Sequence, residues 1–256
     1  FFFFYMLLSI ITVSKYDNIQ ELNRTVQSVT NQCTTKYEHI IVASGVKDIT
    51  WFYNKYINDK TQLIINKDKS LYDAMNIGLD QASGNAILFL NSGDEFYDNN
   101  SMNIIIHKLK AKKCIAFRTV QSYKNDNYFR PSMQQIYIRK ILPGHQGFIA
   151  PLPEAKFTRF KADIYPISSD TKWMQSLINM YGLEMHPEVI SKHVLGGMSN
   201  CQTIRSILIR HKESGLKKSI PEALKLILRS TIGLKLTYRL LFIFKYDYYR
   251  QKDLTE

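Results

Sequence analysis

The chain has 256 residues, 45% of them hydrophobic and 12% aromatic, and a formal net charge of +12. That apolar content supports a sizeable core and excludes disorder as the default state. Cys33, Cys114 and Cys201 are odd in number and far apart, with no CxxC pair; this argues against a disulfide framework or a cysteine-built zinc site and fits a reducing compartment.

The charge is uneven. Residues 204–256 carry 12 Lys and Arg against 5 Asp and Glu, a net of +7, which leaves +5 for the first 203. An electropositive surface attracts nucleic acid, anionic lipid or phosphorylated substrate alike, and charge alone does not choose among them. The opening Phe1-Phe-Phe-Phe-Tyr-Met-Leu-Leu-Ser-Ile-Ile is too short to span a bilayer and lacks the cationic start and cleavage site of a signal peptide. Met6 is a candidate natural start, and the expected location is the cytoplasm.

In chain order, Leu7 to Ser14 is a β-branched apolar run suited to a buried strand. Asn18 is placed to cap a helix, with Glu21 as its capping-box partner and Leu22, Val26 and Val29 at helical spacing. His39 to Ala43 reads as a second strand broken by Ser44-Gly45. Asp48 opens a helix through Trp51 and Tyr56, and Leu63 to Ile65 forms a third strand. Ser70 to Ala82 is a helix with Leu71, Met75, Leu79 and Ala82 on one face, and Ala86 to Leu90 is a fourth strand. Strands alternating with helices predict an α/β fold with a parallel sheet.

The fourth strand ends in Asn91-Ser92-Gly93-Asp94, a turn-favouring string. In open α/β sheets ligands bind outside the carboxyl ends of strands, so these oxygen donors lie where such a fold keeps its site. Alone, the string is equally an ordinary solvated turn. Beyond Asn99 the rhythm loosens: a helix over Met102 to Leu109, strands over Cys114 to Val120, Asn127 to Phe129 and Gln146 to Ala150, a helix over Asp170 to Tyr181, and a strand from Val189 to Leu195 ending in Gly196-Gly197. Mixed strands here predict an antiparallel annex.

Residues 204–256 form a basic amphipathic helical tail, broken near Gly215 and again at Pro221. Lys225, Arg229, Lys235 and Arg239 share about one third of the helix circumference, and Tyr246, Tyr248 and Tyr249 follow. This is the composition of an interfacial membrane segment, and equally of a helix packed on its own domain with its cations in water.

Several strings coincide: Lys67-Asp68-Lys69-Ser70-Leu71-Tyr72-Asp73-Ala74-Met75-Asn76-Ile77-Gly78 one element before Asn91-Ser92-Gly93-Asp94, then His145-Gln146, Ile167-Ser168-Ser169-Asp170 and Gly196-Gly197-Met198-Ser199. With Ile10-Ile11-Thr12-Val13, they resemble the family-2 glycosyltransferases of the GT-A fold, a Rossmann-like mostly parallel sheet with an antiparallel annex. The likeness is strongest to bacterial enzymes of O-antigen and capsular polysaccharide synthesis and covers roughly residues 7–215. It implies a catalytic domain over 1–203, with a nucleotide-binding half about 7–98 and an acceptor half about 99–203, followed by the tail.

The resemblance further implies inverting, metal-assisted transfer of a hexose or N-acetylhexosamine from a UDP-sugar to a hydroxyl of a polyprenyl-diphosphate-linked saccharide. Such an enzyme is peripheral on the cytoplasmic face of the inner membrane. Asp170 matches the catalytic base. Asp94, Asn91 and His193 match a site for Mn²⁺ or Mg²⁺, His193 being either a third ligand or a phosphate contact. Thr12, Ser14, Asp68, Asp73, Asn76, Ser92 and Gly93 match donor-binding positions; His145, Gln146, Ser169 and Trp173 match acceptor-binding ones.

Local chemistry offers a plainer role for some of these. Ser70-Leu71-Tyr72-Asp73 is also a capping box, and Asp170 is also placed as a helix cap. The chain departs from its relatives in four places: Ala43-Ser44-Gly45-Val46 lacks the usual base-reading Asp, Asn91 stands for an Asp, Gly93 for an acid, and the first loop, Lys15-Tyr16-Asp17-Asn18, is one residue longer than usual. A non-catalytic sugar-nucleotide-binding assembly subunit and a dTDP-sugar donor are the rival readings. A nucleic-acid-binding protein fits less well, because the charge sits in an apolar tail without a reader motif.

Overall fold

The structure, a computed structural model, describes residues 6–15, 19–44, 54, 57–65, 70–123, 126–133, 136, 144–194, 203–242 and 247–250. The expected helix from Asp48 through Tyr56, the Asn18 cap, Asp68, Gly45-Val46 and Gly196-Gly197 lie outside the described residues.

The centre of the sheet is β1 (Leu8–Lys15), which pairs in parallel with β2 (Tyr37–Ser44) on one side and β4 (Ala86–Phe89) on the other. β3 (Thr61–Ile65) continues the parallel half beyond β2. Leu8, Ser9, Ile10, Ile11, Thr12 and Val13 are all buried, as expected of a parallel strand covered on both faces. Between β1 and β2 runs α1 (Ile19–Thr30), which buries Leu22, Val26 and Val29. Between β3 and β4, α2 (Leu71–Gln81) crosses β1 so closely that a Cβ on Gly78 would stand 2.5 Å from Ile11 Cγ2. Only glycine permits that approach.

The remainder is largely antiparallel. β8 (Phe148–Pro151) pairs with β4 and with β6 (Cys114–Tyr123), and β6 pairs with β7 (Asp126–Arg130). β9 (Leu183–Val194) runs parallel to β6 and pairs antiparallel with β5 (Asp94–Phe96). The sheet is thus the mixed α/β arrangement predicted, with its annex. α3 (Ser101–Lys108) follows β5, and α4 (Ser169–Tyr181) packs on the annex. Trp173 of α4 is 2% exposed among Phe89, Phe148 and Phe160, stacking on the last with ring centroids 4.8 Å apart.

Three expectations are corrected. Asp94 is the first residue of a strand rather than the last of a turn, because β9 supplies it a partner. The tail is α5 (Ile204–Ser214) and α6 (Leu216–Phe242), separated at Gly215 as expected, but α6 runs through Pro221 and breaks instead at Gly233, whose φ is 77°. Residues 247–250 are a strand rather than part of a helical tail: β10 (Asp247–Arg250), containing Tyr248 and Tyr249, pairs antiparallel with β7. Among the described residues, no helix is long and apolar enough to cross a membrane.

Candidate active site

At the end of β4 the chain continues along β1, with Leu90 N–H donating to Ile11 O and Ser92 N–H to Val13 O. It then reverses through Gly93 at φ 94°, a left-handed conformation that favours glycine. Thr25 of α1 holds the reversal. Its hydroxyl donates to Asp94 O at 2.7 Å and accepts from Gly93 N–H at 3.0 Å. The outcome is a fixed turn that presents Asp94, 8% exposed, at the carboxyl end of the sheet.

The antiparallel pairing of β8 with β4 returns the chain to this end, and the 3-10 turn His145–Gly147 just before β8 sits over Asn91. Asn91 Nδ2 is 3.2 Å from His145 Nε2, and Asp94 Oδ2 is 4.0 Å from the same nitrogen. On its other side, His145 Nδ1 is 3.3 Å from Asp170 Oδ2. Asp170 lies in the first turn of α4, where Oδ1 accepts from Thr171 N–H at 2.7 Å, and Tyr72 Oη is 3.3 Å away. The Tyr72 hydroxyl also donates to Ile167 O at 2.7 Å. Asp94, His145 and Asp170 therefore form one contiguous group drawn from three separate elements.

Their ionisation follows from that contact. Burial pushes the Asp94 carboxyl up to about 6, against the opposing charge of His145. Burial by itself lowers His145, but the hydrogen bond and charge of Asp170, with Asp94 adding, raise it overall. Burial disfavours the Asp170 carboxylate, yet the bond and charge of His145, with Thr171 N–H and Tyr72, hold it below its ordinary value. The chemistry on offer is an ionised carboxylate able to accept a proton, beside a second carboxylate suited to a cation.

The other anticipated residues divide. Gln146 hydrogen-bonds Asp94, so it belongs with the metal-side acid. Ser92 belongs to the same turn, its hydroxyl buried and without a hydrogen-bond partner among the described residues. His193 lies directly opposite Asp94 across the β5–β9 ladder, which sets both side chains on one face. Thr12 is wholly buried, its hydroxyl donating to Leu90 O and bonded to His39 Nε2, so it does not reach the cleft. Ser14 is likewise buried, at 3% exposed.

Asn76 is spent on the backbone of Phe160, through both its carbonyl and its amide. Ser70 caps α2, its Oγ accepting from Asp73 N–H at 3.1 Å while the Asp73 carboxylate accepts from the same hydroxyl rather than from the Ser70 N–H that a capping box requires. Ser169 accepts from Lys161 N–H, and Trp173 Nε1–H donates to Thr158 O. These two flank a cavity of about 370 Å³ along α4, which Asp94, His145 and Asp170 do not line. Asp170 is not the cap of its helix; Ser168 occupies that position.

A divalent cation fits the Asp94 end. Among the described residues, Asn91 Oδ1, Ser92 Oγ and His193 Nδ1 are buried without a hydrogen-bond partner. Burial, with the charges of His145 and Arg130, lowers His193 to about 3, leaving its imidazole neutral and able to ligate at neutral pH. Among the described residues no three acid, His or Cys side chains form a ready cage. The donor set suits an ion that takes most of its ligands from phosphate and water.

Several neighbours escape sequence reading. Tyr72 orients Asp170, and Thr25 holds the Asp94 turn. Glu21 lies beside Gly93 and within electrostatic reach of Asp94. Arg130, at the end of β7, acts electrostatically on both His145 and His193. The only sequence signal for Tyr72 was its place inside the Ser70–Asp73 string.

The family model for glycosyl transferase family 2 matches residues 9–176. None of the curated proteins matches the chain. Among solved structures, the chain is similar to S. aureus TarS, with TM-score 0.58 and 14% identity over 89% of this chain and 43% of that one. A TarS 1–349 structure in complex with UDP-GlcNAc gives TM-score 0.57 at 14% identity, over 91% and 78% of the two chains. The mannosyltransferase PcManGT from Pyrobaculum calidifontis, in complex with GDP-Man and Mn²⁺, gives TM-score 0.60 at 12% identity, over 92% and 78%. The chain spans less than half of full-length TarS, and at these identities the likeness is one of fold.

Proposed function

Since the chain belongs to glycosyl transferase family 2 and has its GT-A fold, we propose that it moves a hexose or N-acetylhexosamine from a UDP-sugar to an acceptor hydroxyl with inversion. We place the acceptor among polyprenyl-diphosphate-linked saccharides of surface polysaccharide synthesis, O-antigen included. The observation that carries the catalytic part is the continuous Asp94–His145–Asp170 group. It joins the Asp94 end of the cleft to the acid of α4.

A sugar hydroxyl is a weak nucleophile and needs a base in hydrogen-bond reach. Asp170, held ionised by His145 and oriented by Tyr72, is that base in this reading. The donor's diphosphate lies at the other end, with Asp94, Asn91 and His193 holding Mn²⁺ or Mg²⁺. When bound, the ion neutralises charge developing on the leaving diphosphate. Arg130 adds a fixed positive charge on that side. The UDP-GlcNAc and GDP-Man complexes of the fold neighbours support a nucleotide-sugar donor, and the Mn²⁺ in one of them supports the metal. Ala43, where relatives carry an acid, leaves the base to be determined by a screen of UDP-, dTDP- and GDP-sugars.

The tail supports peripheral attachment to the cytoplasmic face of the membrane. Ile204, Leu208, Ile220, Leu224 and Ile227 are each more than half exposed, on helices within the net +7 segment, the pairing of apolar and cationic surface that anionic bilayers attract. Flotation with anionic vesicles of the chain and of its Leu224→Ser/Ile227→Ser variant tests this; equal binding removes the argument. The catalytic reading is tested by Asp170→Asn, which is expected to abolish transfer while donor affinity is kept. A variant that still turns over ends that assignment.

A further inference from the structure

The helix before the Gly215 break contains a residue that local rules do not explain. Glu213 lies in the last turn of α5, where a carboxylate faces the negative end of the helix dipole; His211 and Lys212 in the same turn have the favourable sign. Its two oxygens reach out of the helix. Oε1 accepts Ile167 N–H at 2.9 Å and Oε2 accepts Ser168 Oγ–H at 2.6 Å. The partner makes a matching concession. Ser168 holds the N-cap position of α4, yet its side chain makes no capping bond there, although serine is favoured at that position for the bond it makes. Both residues forgo a local preference for the same link.

That link fastens the two residues immediately before α4, and Asp170 is the second residue of that helix. From the other side, Tyr72 holds the same turn through Ile167 O and stands beside Asp170 Oδ1. The approach to the acid is therefore pinned by α2 on one side and by α5 on the other. We propose that Glu213 is a positioning residue for Asp170, making the C-terminal segment, beyond the residues 9–176 that the family model matches, a working part of the active site. A carboxylate bonded to a backbone N–H and a hydroxyl is a stiffer tie than a neutral pair. It also connects the acid to the helix that carries exposed Ile204 and Leu208. The inference rests on the reading of Asp170 as the base.

Glu213→Ala, Glu213→Gln and Ser168→Ala are compared with Asp170→Asn for kcat, acceptor KM, donor Kd by calorimetry and thermal unfolding. Displacing a catalytic group by a fraction of an ångström to an ångström lowers turnover by about 10- to 100-fold, so that is the loss expected in kcat for Glu213→Ala, with donor Kd unchanged. Glu213→Gln, which keeps an acceptor for Ile167 N–H, recovers part of it. Ser168→Ala lowers kcat less, and adds nothing to Glu213→Ala because the two share one link.

Ser168→Ala and Glu213→Gln carry the test if Glu213→Ala does not fold. The inference is overturned if these variants keep kcat within about twofold of the parent. It is also overturned if donor affinity and thermal stability fall in step with kcat, the signature of a structural role. If Asp170→Asn itself retains turnover, the base assignment fails; if that variant is dead and the Glu213 variants are active, only the present inference fails.

Discussion

His145 Nδ1 stands 3.3 Å from Asp170 Oδ2, and the opposite nitrogen of the same ring lies 4.0 Å from Asp94 Oδ2. One imidazole thus touches the two acids on which the proposed chemistry depends, and its side chain is only 18% exposed. Both of its ring nitrogens face protein partners, Nε2 towards Asn91 and Asp94 and Nδ1 towards Asp170.

Replacing His145 by Ala removes the partner that keeps Asp170 below its ordinary pKa, and leaves the burial that opposes ionisation. The Asp170 carboxyl then rises, so it is protonated at a higher pH as the solution is acidified. The acid limb of the kcat–pH profile is expected to move to higher pH, and kcat at neutral pH to fall by about 10- to 100-fold. A pH profile of kcat measured with saturating donor checks both.

Treatment with EDTA is expected to abolish transfer and Mn²⁺ to restore it. Asp94→Asn removes the carboxylate from the metal end, and the Mn²⁺ concentration for half-activation should rise by at least about tenfold. Retained activity in EDTA contradicts the metal role of Asp94, Asn91 and His193.

Gly93 sits at a positive φ that a residue with a side chain rarely adopts. Gly93→Asp forces a side chain onto a φ of 94°, with Cβ 3.4 Å from the Glu21 carboxyl carbon. The expected cost is about 1–3 kcal/mol of stability, with no gain in Mn²⁺ activation despite the added charge. Urea unfolding and a Mn²⁺ titration decide. Thr25→Val, which strips the turn of its hydroxyl, is expected to cost a similar ~1–3 kcal/mol by leaving Gly93 N–H and Asp94 O without it.

His39 titrates in the opposite sense to His145. It is fully buried, and burial lowers it from the ordinary 6.5 to about 3. Above pH 6.5 the ring is neutral in both folded and unfolded chains and contributes no pH dependence. Below 6.5 the unfolded chain binds a proton that the folded chain refuses, so stability falls as pH drops toward 3. Between pH 6.5 and 5 the loss is about 2 kcal/mol from this residue. Urea midpoints of the parent and of His39→Gln across that range should converge as the pH falls.

Much of the frame was legible in local pattern. The apolar runs of β1, β2 and β4 identify themselves as buried strands because both faces are covered. Ser70 caps α2 as its place in the sequence predicts, and Gly215 ends α5. Short polar strands were not legible: Asp94–Phe96 and Asp247–Arg250 carry no apolar alternation and exist only because β9 and β7 offer them open edges. The spacing of Trp173 did not reveal that its ring would pack among Phe89 and Phe160.

Residue identity and spacing along this chain therefore determined the family, the alternating α/β frame and the two acids, Asp94 and Asp170, because those depend on neighbours a few positions away. Tertiary structure alone decided that His145 would lie between them, that Tyr72 rather than Asp73 would reach Asp170, and that a carboxylate from α5 would bond the turn before it. Each of those contacts joins segments brought together by strand pairing and helix packing, and no periodicity within one segment encodes what another will place opposite it.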